Sequence, residues 1–172
     1  MAEIKFMSYM FGPDSMKPRS FALPYSQQRL VFMPEVLVAF SHFRQVHDEP
    51  EAGGLLFAQF DLPTVRVPSV TTPHKSDQRW RTLFIPNRIL QRHAIRKYFK
   101  QGYHFIGEWH THPAMHPIPS KLDLESMRDA FLKSSHELQY FIMVIVGNRL
   151  DRLVLWVSAH DDQHIERLNE CR

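Results

Sequence analysis

Residues 107–123 read GEWHTHPAMHPIPSKLD and carry the side chains that decide how this chain is interpreted. The segment leading into them, residues 103–109, has the apolar content of a β-strand. Side chains two residues apart on a strand point to the same face, so His110 and His112 can place two imidazoles side by side if the strand continues that far. The sequence therefore predicts two nitrogen ligands converging at the end of a strand.

Asp123 is the candidate for a third ligand. It lies in the first turn of a helix predicted over 120–134, after a proline-rich loop, and it can reach back toward the strand end. Catalytic zinc takes three protein ligands from His, Asp and Glu and keeps a fourth position for water. Each piece also has a plain structural interpretation: Ser120-x-x-Asp123 is an ordinary helix cap, and most His-x-His pairs bind nothing.

The remaining periodicity predicts strands interleaved with helices. An apolar face of Ile89, Leu90, Ile95 and Phe99 is assigned to the second helix, and residues 71–80 are polar and rich in turn formers. Strands are predicted over 29–32, 54–60, 64–70, 81–85, 140–146 and 153–158, and helices over 34–47 and 86–100. Because several strands are hairpin-connected, the fold class is α+β, with a mixed sheet flanked by helices.

A length of 172 residues suits one compact domain. Residues 1–28 contain Pro13, Pro18 and Pro24 and few periodic signals, so we expect an N-terminal arm that packs on a domain formed by residues 29–172. Neither an internal repeat nor a linker is visible.

Composition excludes several classes of protein. The 44% hydrophobic and 23% charged residues are typical of a globular protein, not of a disordered or fibrous one. The formal net charge is +3, with Lys and Arg scattered among acids, so nucleic acid is not expected as a partner and an acidic protein surface is only weakly indicated. Cys171 is the single cysteine, so any metal must use nitrogen and oxygen ligands. We find no signal peptide or membrane span and expect a cytoplasmic protein.

His110-x-His112-Pro113, six further residues and then Ser120-x-x-Asp123 together resemble, in complete spacing, the signature of the JAMM metalloproteases, or MPN-plus domain. The upstream stretch EAGGLL, which begins at Glu51, resembles the glutamate that precedes a buried strand in that family. The resemblance implies a single JAMM/MPN domain with a cytidine-deaminase-like, curved mixed sheet. It also implies one Zn²⁺ per chain, held by His110, His112 and Asp123, with Glu51 as general base and Ser120 stabilising the tetrahedral intermediate.

The family hydrolyses amide bonds, commonly the isopeptide bond after the C-terminus of a ubiquitin-like protein. The residues around the motif also resemble those of the short stand-alone JAMM peptidases of bacterial type II CBASS antiphage operons. That likeness implies a conjugated protein substrate with an extended C-terminal tail. It further implies, as partners from the same operon, a ubiquitin-transfer-like protein and a cyclic-nucleotide synthase whose conjugation the peptidase reverses. Neither nucleic acid nor membrane is implied.

Alternatives remain at this point. The chain could be a non-enzymatic MPN scaffold, or a peptidase that processes sulfur-carrier proteins. Glu49 is the alternative candidate for the general base, but it does not begin the stretch with the Gly-Gly pair that follows Glu51. His116, in the proline-rich loop, is a candidate for substrate contact. The other histidines considered are expected to be structural or exposed; they are His42, His47, His93 and His104.

Overall fold

The fold is built from one curled sheet with helices packed on both of its faces. The computed structural model describes residues 17–171. Within that range the strands are β1 (Arg19–Ala22), β2 (Arg29–Phe32), β3 (Gly53–Asp61), β4 (Thr64–Val70), β5 (Gln78–Trp80), β6 (Leu83–Ile85), β7 (His104–Thr111), β8 (Phe141–Val146), β9 (Leu155–His160) and β10 (Ile165–Arg167). The helices are α1 (Pro34–His42), α2 (Arg88–Lys100) and α3 (Lys121–Lys133).

Eight of these strands form a mixed sheet in the order β1-β2-β4-β3-β7-β8-β9-β10, and β5 and β6 form a separate hairpin. Strand β2 runs parallel to β4 and β7 runs parallel to β8, while the other neighbours are antiparallel. The two ends of the sheet meet, because Ala22 N–H donates to Asn169 O at 3.0 Å and Cys171 N–H to Ser20 O at 2.8 Å. The expected α+β class with a curved mixed sheet is confirmed.

The position of strand β8 between two apolar clusters explains why its sequence, FIMVIV, is continuously apolar. Alternate side chains of a strand face opposite sides, so Ile142, Val144 and Val146 enter the main core while Phe141, Met143 and Ile145 pack beneath α3. A strand covered on both faces needs no polar positions. Each fully buried side chain of this kind contributes roughly 1.5–3 kcal/mol.

The main core is closed by aromatic side chains from α1 and the sheet. The ring of Phe40 lies 5.9 Å from that of Phe32 and 5.1 Å from that of Trp109, and all three side chains are almost fully buried. Trp109 Nε1–H donates to Thr71 O at 2.9 Å, so its one polar group is satisfied inside the protein. This packing holds β7, the strand that leads to the two histidines, in place.

Helix α2 packs through only part of the predicted face: Ile95, on the same side as Tyr98, is half-buried, but the other three predicted residues are exposed. Ile89 and Phe99 are 67% and 64% exposed, and Leu90 is 37% exposed. The helix instead contacts the sheet through Tyr98, whose ring stacks on Phe57 at 4.0 Å and whose hydroxyl lies 2.9 Å from Ser69 Oγ. A tyrosine can cover both an apolar and a polar position of the sheet, which the apolar period of the helix does not reveal.

Other differences lie at element ends. Helix α1 ends at His42, not at residue 47, because Gln45 turns inward and becomes fully buried. The segment read as turn-rich contains β5, which pairs with β6, and β10 was missed because all its residues are exposed. Strand β9 extends to His160, two residues further than predicted.

Residues 1–16, which form the first part of the proposed N-terminal arm, lie outside the described residues. The part that is described includes β1, which pairs antiparallel with β2. The division into an arm over residues 1–28 and a domain over residues 29–172 stays a prediction. In the described part of the chain, no helix is long and apolar enough to cross a bilayer.

His160 makes the stability of this fold dependent on pH. It is 1% exposed, and burial lowers its pKa from 6.5 to about 4, against the opposing charge of Asp161. Unfolded chains take up a proton near pH 6.5, whereas the folded protein does not until near pH 4. Stability from neutral His160 is therefore complete above pH 6.5 and is lost as pH falls toward 4, by about 3 kcal/mol.

Urea denaturation of the wild type and of His160→Gln between pH 7 and 4.5 checks this expectation. The amide of Gln can still accept the hydrogen bond of Ser158 Oγ, which lies 2.8 Å from His160 Nε2, but it does not titrate. The variant should lose less stability than the wild type over this range. Equal losses would contradict the assignment.

Candidate active site

The two histidines of the motif lie side by side, as the strand geometry predicts. His110 is on β7, paired with Gly53 of β3 and Ile145 of β8. His112 follows the assigned strand, but its N–H still donates to Val146 O at 2.9 Å, so the ladder continues through it. The imidazole centroids are 4.9 Å apart. The condition that the strand reaches His112 is therefore met.

Thr111, between the two histidines, points to the opposite face and is fully buried. Its Oγ1 accepts from Ala52 N–H at 3.0 Å and donates to Gln45 Oε1 at 2.8 Å. The Nε2 group of Gln45 in turn donates to Glu49 O and Arg81 O, at 3.0 and 2.7 Å. This hydroxyl thus ties the loop before β3 to the strand that carries the histidines. Sequence reasoning missed it, although strand alternation alone places it inside.

Glu51 is brought to the histidines by backbone contacts on both sides. Its N–H donates to Trp80 O at 2.7 Å, and Arg79 Nε–H donates to Glu51 O at 2.7 Å. The residue is only 5% exposed. One of its carboxylate oxygens and one ring nitrogen each of His110 and His112 lie within 4.8 Å of one another, as in a group that could hold a metal ion.

Asp123 serves the helix and the site at once. Its Oδ2 accepts from Ser120 N–H at 2.6 Å, while Ser120 Oγ accepts from Asp123 N–H at 3.2 Å, which is a complete capping box. Asp123 Oδ1 also lies 3.4 Å from His110 Nε2, and Oδ2 lies 3.4 Å from His112 Nε2. The capping interpretation and the site interpretation are therefore compatible, because the cap aims the carboxylate at the imidazoles.

The two carboxylates of the site have opposite proton affinities. Burial raises the pKa of Glu51 to about 7, an effect that His112 opposes and Asp123 reinforces. Burial by itself would also raise the pKa of Asp123, but the imidazoles of His110 and His112 outweigh it and hold that pKa well below its usual range. Glu51 is therefore suited to proton exchange near neutral pH, and Asp123 stays ionised.

The donor set fits a metal ion. His110 Nε2 is buried and makes no hydrogen bond to any described residue, since its 3.4 Å approach to Asp123 lacks hydrogen-bond geometry. A buried ring nitrogen without a partner is costly unless a ligand satisfies it. Imidazole nitrogens and carboxylate oxygens are the ligands that first-row divalent metals accept.

These groups open onto one cleft of about 270 Å³, which Glu51, His110, His112, Ser120 and Asp123 all line. The β5–β6 hairpin contributes Leu83 and Phe84 to its wall, and α2 contributes Arg88.

Glu108 also lines the cleft, two residues before His110 on the same strand face. Burial raises its pKa, and Arg88, whose Nη1 lies 3.7 Å from Glu108 Oε1, acts against that shift. Sequence reasoning assigned no role to Arg88 or Glu108, although the period of two along β7 could have found the glutamate.

The other candidates lie elsewhere. Glu49 is exposed, and its carboxylate accepts from His47 N–H at 2.7 Å within its own loop. His116 is exposed and is not among the residues that line the cleft. The remaining histidines named in the sequence analysis are exposed too, as expected; they are His42, His47, His93 and His104.

A curled mixed sheet with two histidines at a strand end and a carboxylate at the start of the next helix defines a class of site that could hold a metal ion. Residues 33–165, more than half of the chain, match the model of a family described as prokaryotic homologs of the JAB domain. This chain belongs to that family, which confirms the resemblance to JAMM/MPN proteins.

Curated relatives carry the name CD-NTase/cGAS isopeptidase. The relative from Escherichia coli is 29% identical over 145 residues, covering 82% of this chain and 88% of that protein. Relatives from Vibrio cholerae and Pseudomonas aeruginosa are 27% and 34% identical and cover 70% and 60% of this chain, and 77% and 68% of their own lengths.

Solved structures support the fold alone. The solution structure of a Desulfitobacterium hafniense protein superposes with a TM-score of 0.55 at 22% identity, covering 74% of this chain and 81% of that one. A Salinibacter ruber protein gives a TM-score of 0.50 at 24% identity, covering 79% and 86%.

Replacing Thr111 by Val should destabilise the fold and displace Glu51. The substitution leaves the Ala52 N–H and the Gln45 Oε1 without partners inside the protein, which costs about 3 kcal/mol. Urea denaturation measures the loss. Thr111→Ser keeps the hydroxyl and is the matched control, so a loss in Thr111→Val no larger than that in Thr111→Ser would contradict a dominant role of the two hydrogen bonds.

Proposed function

We propose that this chain is a zinc-dependent isopeptidase that cuts the amide bond after the C-terminus of a conjugated CD-NTase, a cyclic-nucleotide synthase. The observation that supports it best is the convergence of Glu51, His110, His112 and Asp123 on one cleft. Membership of the JAB family and the name shared by the curated relatives support the class of reaction and the substrate. In a bacterial cell this would be a cytoplasmic activity that reverses conjugation in antiphage defence.

His110, His112 and Asp123 would hold one Zn²⁺ per chain. Both imidazoles and one carboxylate match the three-ligand sets of catalytic zinc sites, and Cys171 is the only thiol in the sequence. Zinc with an open coordination position supplies a Lewis acid and makes a water molecule acidic enough to act as a nucleophile near neutral pH. Asp123, which stays ionised, suits a ligand, whereas Glu51, with a pKa of about 7, suits a base.

Glu51 would take the proton of the attacking water and pass it to the leaving amine. A carboxyl group with a pKa near the working pH both accepts and releases a proton efficiently. Its fixed backbone, held by Trp80 O and by Arg79 Nε, keeps the carboxylate beside the imidazoles.

Ser120 would donate to the oxygen of the tetrahedral intermediate. Its Oγ already accepts from Asp123 N–H at 3.2 Å, so the hydroxyl hydrogen can point into the cleft. Such donors act on charge that develops only during the reaction.

A cleft of about 270 Å³ accommodates an extended chain and not a folded domain. This favours a substrate whose C-terminal tail threads through the site while its body stays outside. The proposed partners are therefore the conjugated synthase and, as the enzyme that makes the linkage, a ubiquitin-transfer-like protein.

The metal assignment predicts about one zinc per purified chain. His110→Ala and Asp123→Asn should each reduce the zinc content strongly and abolish cleavage, because a ligand is lost. The measurements are elemental analysis and cleavage of a CD-NTase fusion that carries a peptide after its C-terminus. A folded, zinc-free wild-type protein without cleavage activity would refute the proposal and leave the scaffold interpretation. Cleavage that persists with a chelator would refute the zinc-dependent mechanism.

Glu51→Gln should retain zinc and lose at least about 10²-fold in kcat, because the amide cannot take a proton. Glu49→Gln is the matched control, since Glu49 is exposed and hydrogen bonded within its own loop. Elemental analysis with the purified variants reports metal binding, and steady-state kinetics with the same fusion report the catalytic step. Greater loss in Glu49→Gln than in Glu51→Gln would reverse the assignment of the base.

A further inference from the structure

Helix α2 is the most basic element of the described chain. Its sequence, RILQRHAIRKYFK, contains five Lys and Arg residues and no Asp or Glu. Removing these five from the 21 Lys and Arg of the whole chain leaves 16 against 18 Asp and Glu. The positive net charge therefore resides in this one helix, where Lys and Arg are not interspersed with Asp and Glu as they are in the rest of the chain.

Four of the cations form a line along one side of α2. Arg88, Arg92, Arg96 and Lys100 recur every four residues and are exposed; we call them the basic ridge. Within the described residues its single ion pair joins Arg88 Nη1 to Glu108 Oε1, at 3.7 Å. The helix packs on the sheet through Tyr98, which leaves the basic ridge directed to solvent. Among residues 17–171, therefore, three of its four cations have no ion-pair partner.

The basic ridge begins at the active-site cleft. Arg88 lines the cleft and is the first residue of α2, capped by Asn87, whose Oδ1 accepts from Ile89 N–H at 3.0 Å. A protein whose tail lies in the cleft must place its folded body over a neighbouring surface. Because α2 runs away from the cleft, the basic ridge is such a surface.

The same side of the helix also exposes apolar side chains. Ile89 is 67% exposed next to Arg88, and Phe99, eleven residues after Arg88 and therefore on the same side of the helix, is 64% exposed. Arg together with exposed aromatic and apolar side chains is the composition enriched at protein interfaces, and this surface adjoins the cleft that would hold the tail of a protein. The chemistry of the surface therefore favours a protein partner.

We propose that the basic ridge of α2 docks an acidic face on the folded body of the conjugated protein, next to the tail that enters the cleft. This inference rests on the proposed isopeptidase function and adds the chemistry by which the substrate is selected. Exposed charge pairs of this kind raise the rate of encounter and are weakened by salt. A substrate without a folded body should not use the ridge.

The experiment compares two substrates that share one scissile bond. The first is the CD-NTase of the same genome with a peptide fused after its C-terminus, and the second is a synthetic peptide that spans only that junction. Arg92→Glu combined with Arg96→Glu reverses two charges that do not line the cleft. We expect KM for the fusion to rise at least about tenfold, with kcat and peptide cleavage unchanged within about twofold.

Arg128→Glu combined with Arg152→Glu is the matched control, because both residues are exposed, lie outside α2 and give the same change in net charge. Arg92→Lys with Arg96→Lys should behave as the wild type. Raising NaCl should increase KM of the wild type for the fusion more than KM of the reversed variant.

The outcomes separate the two proposals. If the wild type cleaves neither substrate, the proposed function fails. If it cleaves both but the reversed variant is impaired equally on both, or on neither, the docking surface is refuted while the function stands. Strong binding of a short DNA duplex that disappears in the reversed variant, with unchanged KM for the fusion, would assign the ridge to nucleic acid instead.

Discussion

The hydroxyl of Thr111 adds buried hydrogen bonds between three parts of the chain, on the far side of the strand pairing that joins β3 to β7. It accepts from the backbone of Ala52 and donates to Gln45, and its neighbours on the strand are His110 and His112. Since alternate side chains of a strand face opposite sides, the residue that anchors the loop must lie between the residues that face the cleft. The position of Glu51 therefore depends on a hydrogen bond made on the far side of the sheet.

At the start of α3, too, one set of contacts serves both the fold and the active site. The capping box between Ser120 and Asp123 satisfies backbone donors that every helix leaves open, and it also directs a carboxylate toward two imidazoles. A helix cap is rigid because its geometry is set by the backbone. For that reason a side chain used as a cap is well placed to serve as a ligand.

The strands and helices around the active site contribute to it in different ways. Strand β8, buried on both faces, supports β7 from one side, while Arg79 and Trp80 of β5 hold the backbone of Glu51 from the other. Helix α2 contributes little to the core and much to the surface charge. The protein thus combines a rigid site with an exposed basic element at its mouth, an arrangement that suits a folded substrate with an extended tail.

The sequence by itself determined most strand and helix positions, the α+β class, and the pairing of His110 with His112, because these follow from periods of two and 3.6 residues and from short spacings. Capping at Ser120 and Asp123 was equally local. Only the tertiary structure decided that Glu51 reaches the histidines, that Gln45 ends α1 early, and which face of α2 is buried. Those outcomes depend on contacts between residues far apart in the chain, such as Ala52 with Thr111, 59 residues apart, and Gln45 with Thr111, 66 apart. No local pattern encodes such contacts, since the partner that satisfies a buried polar group is chosen only when the sheet has formed.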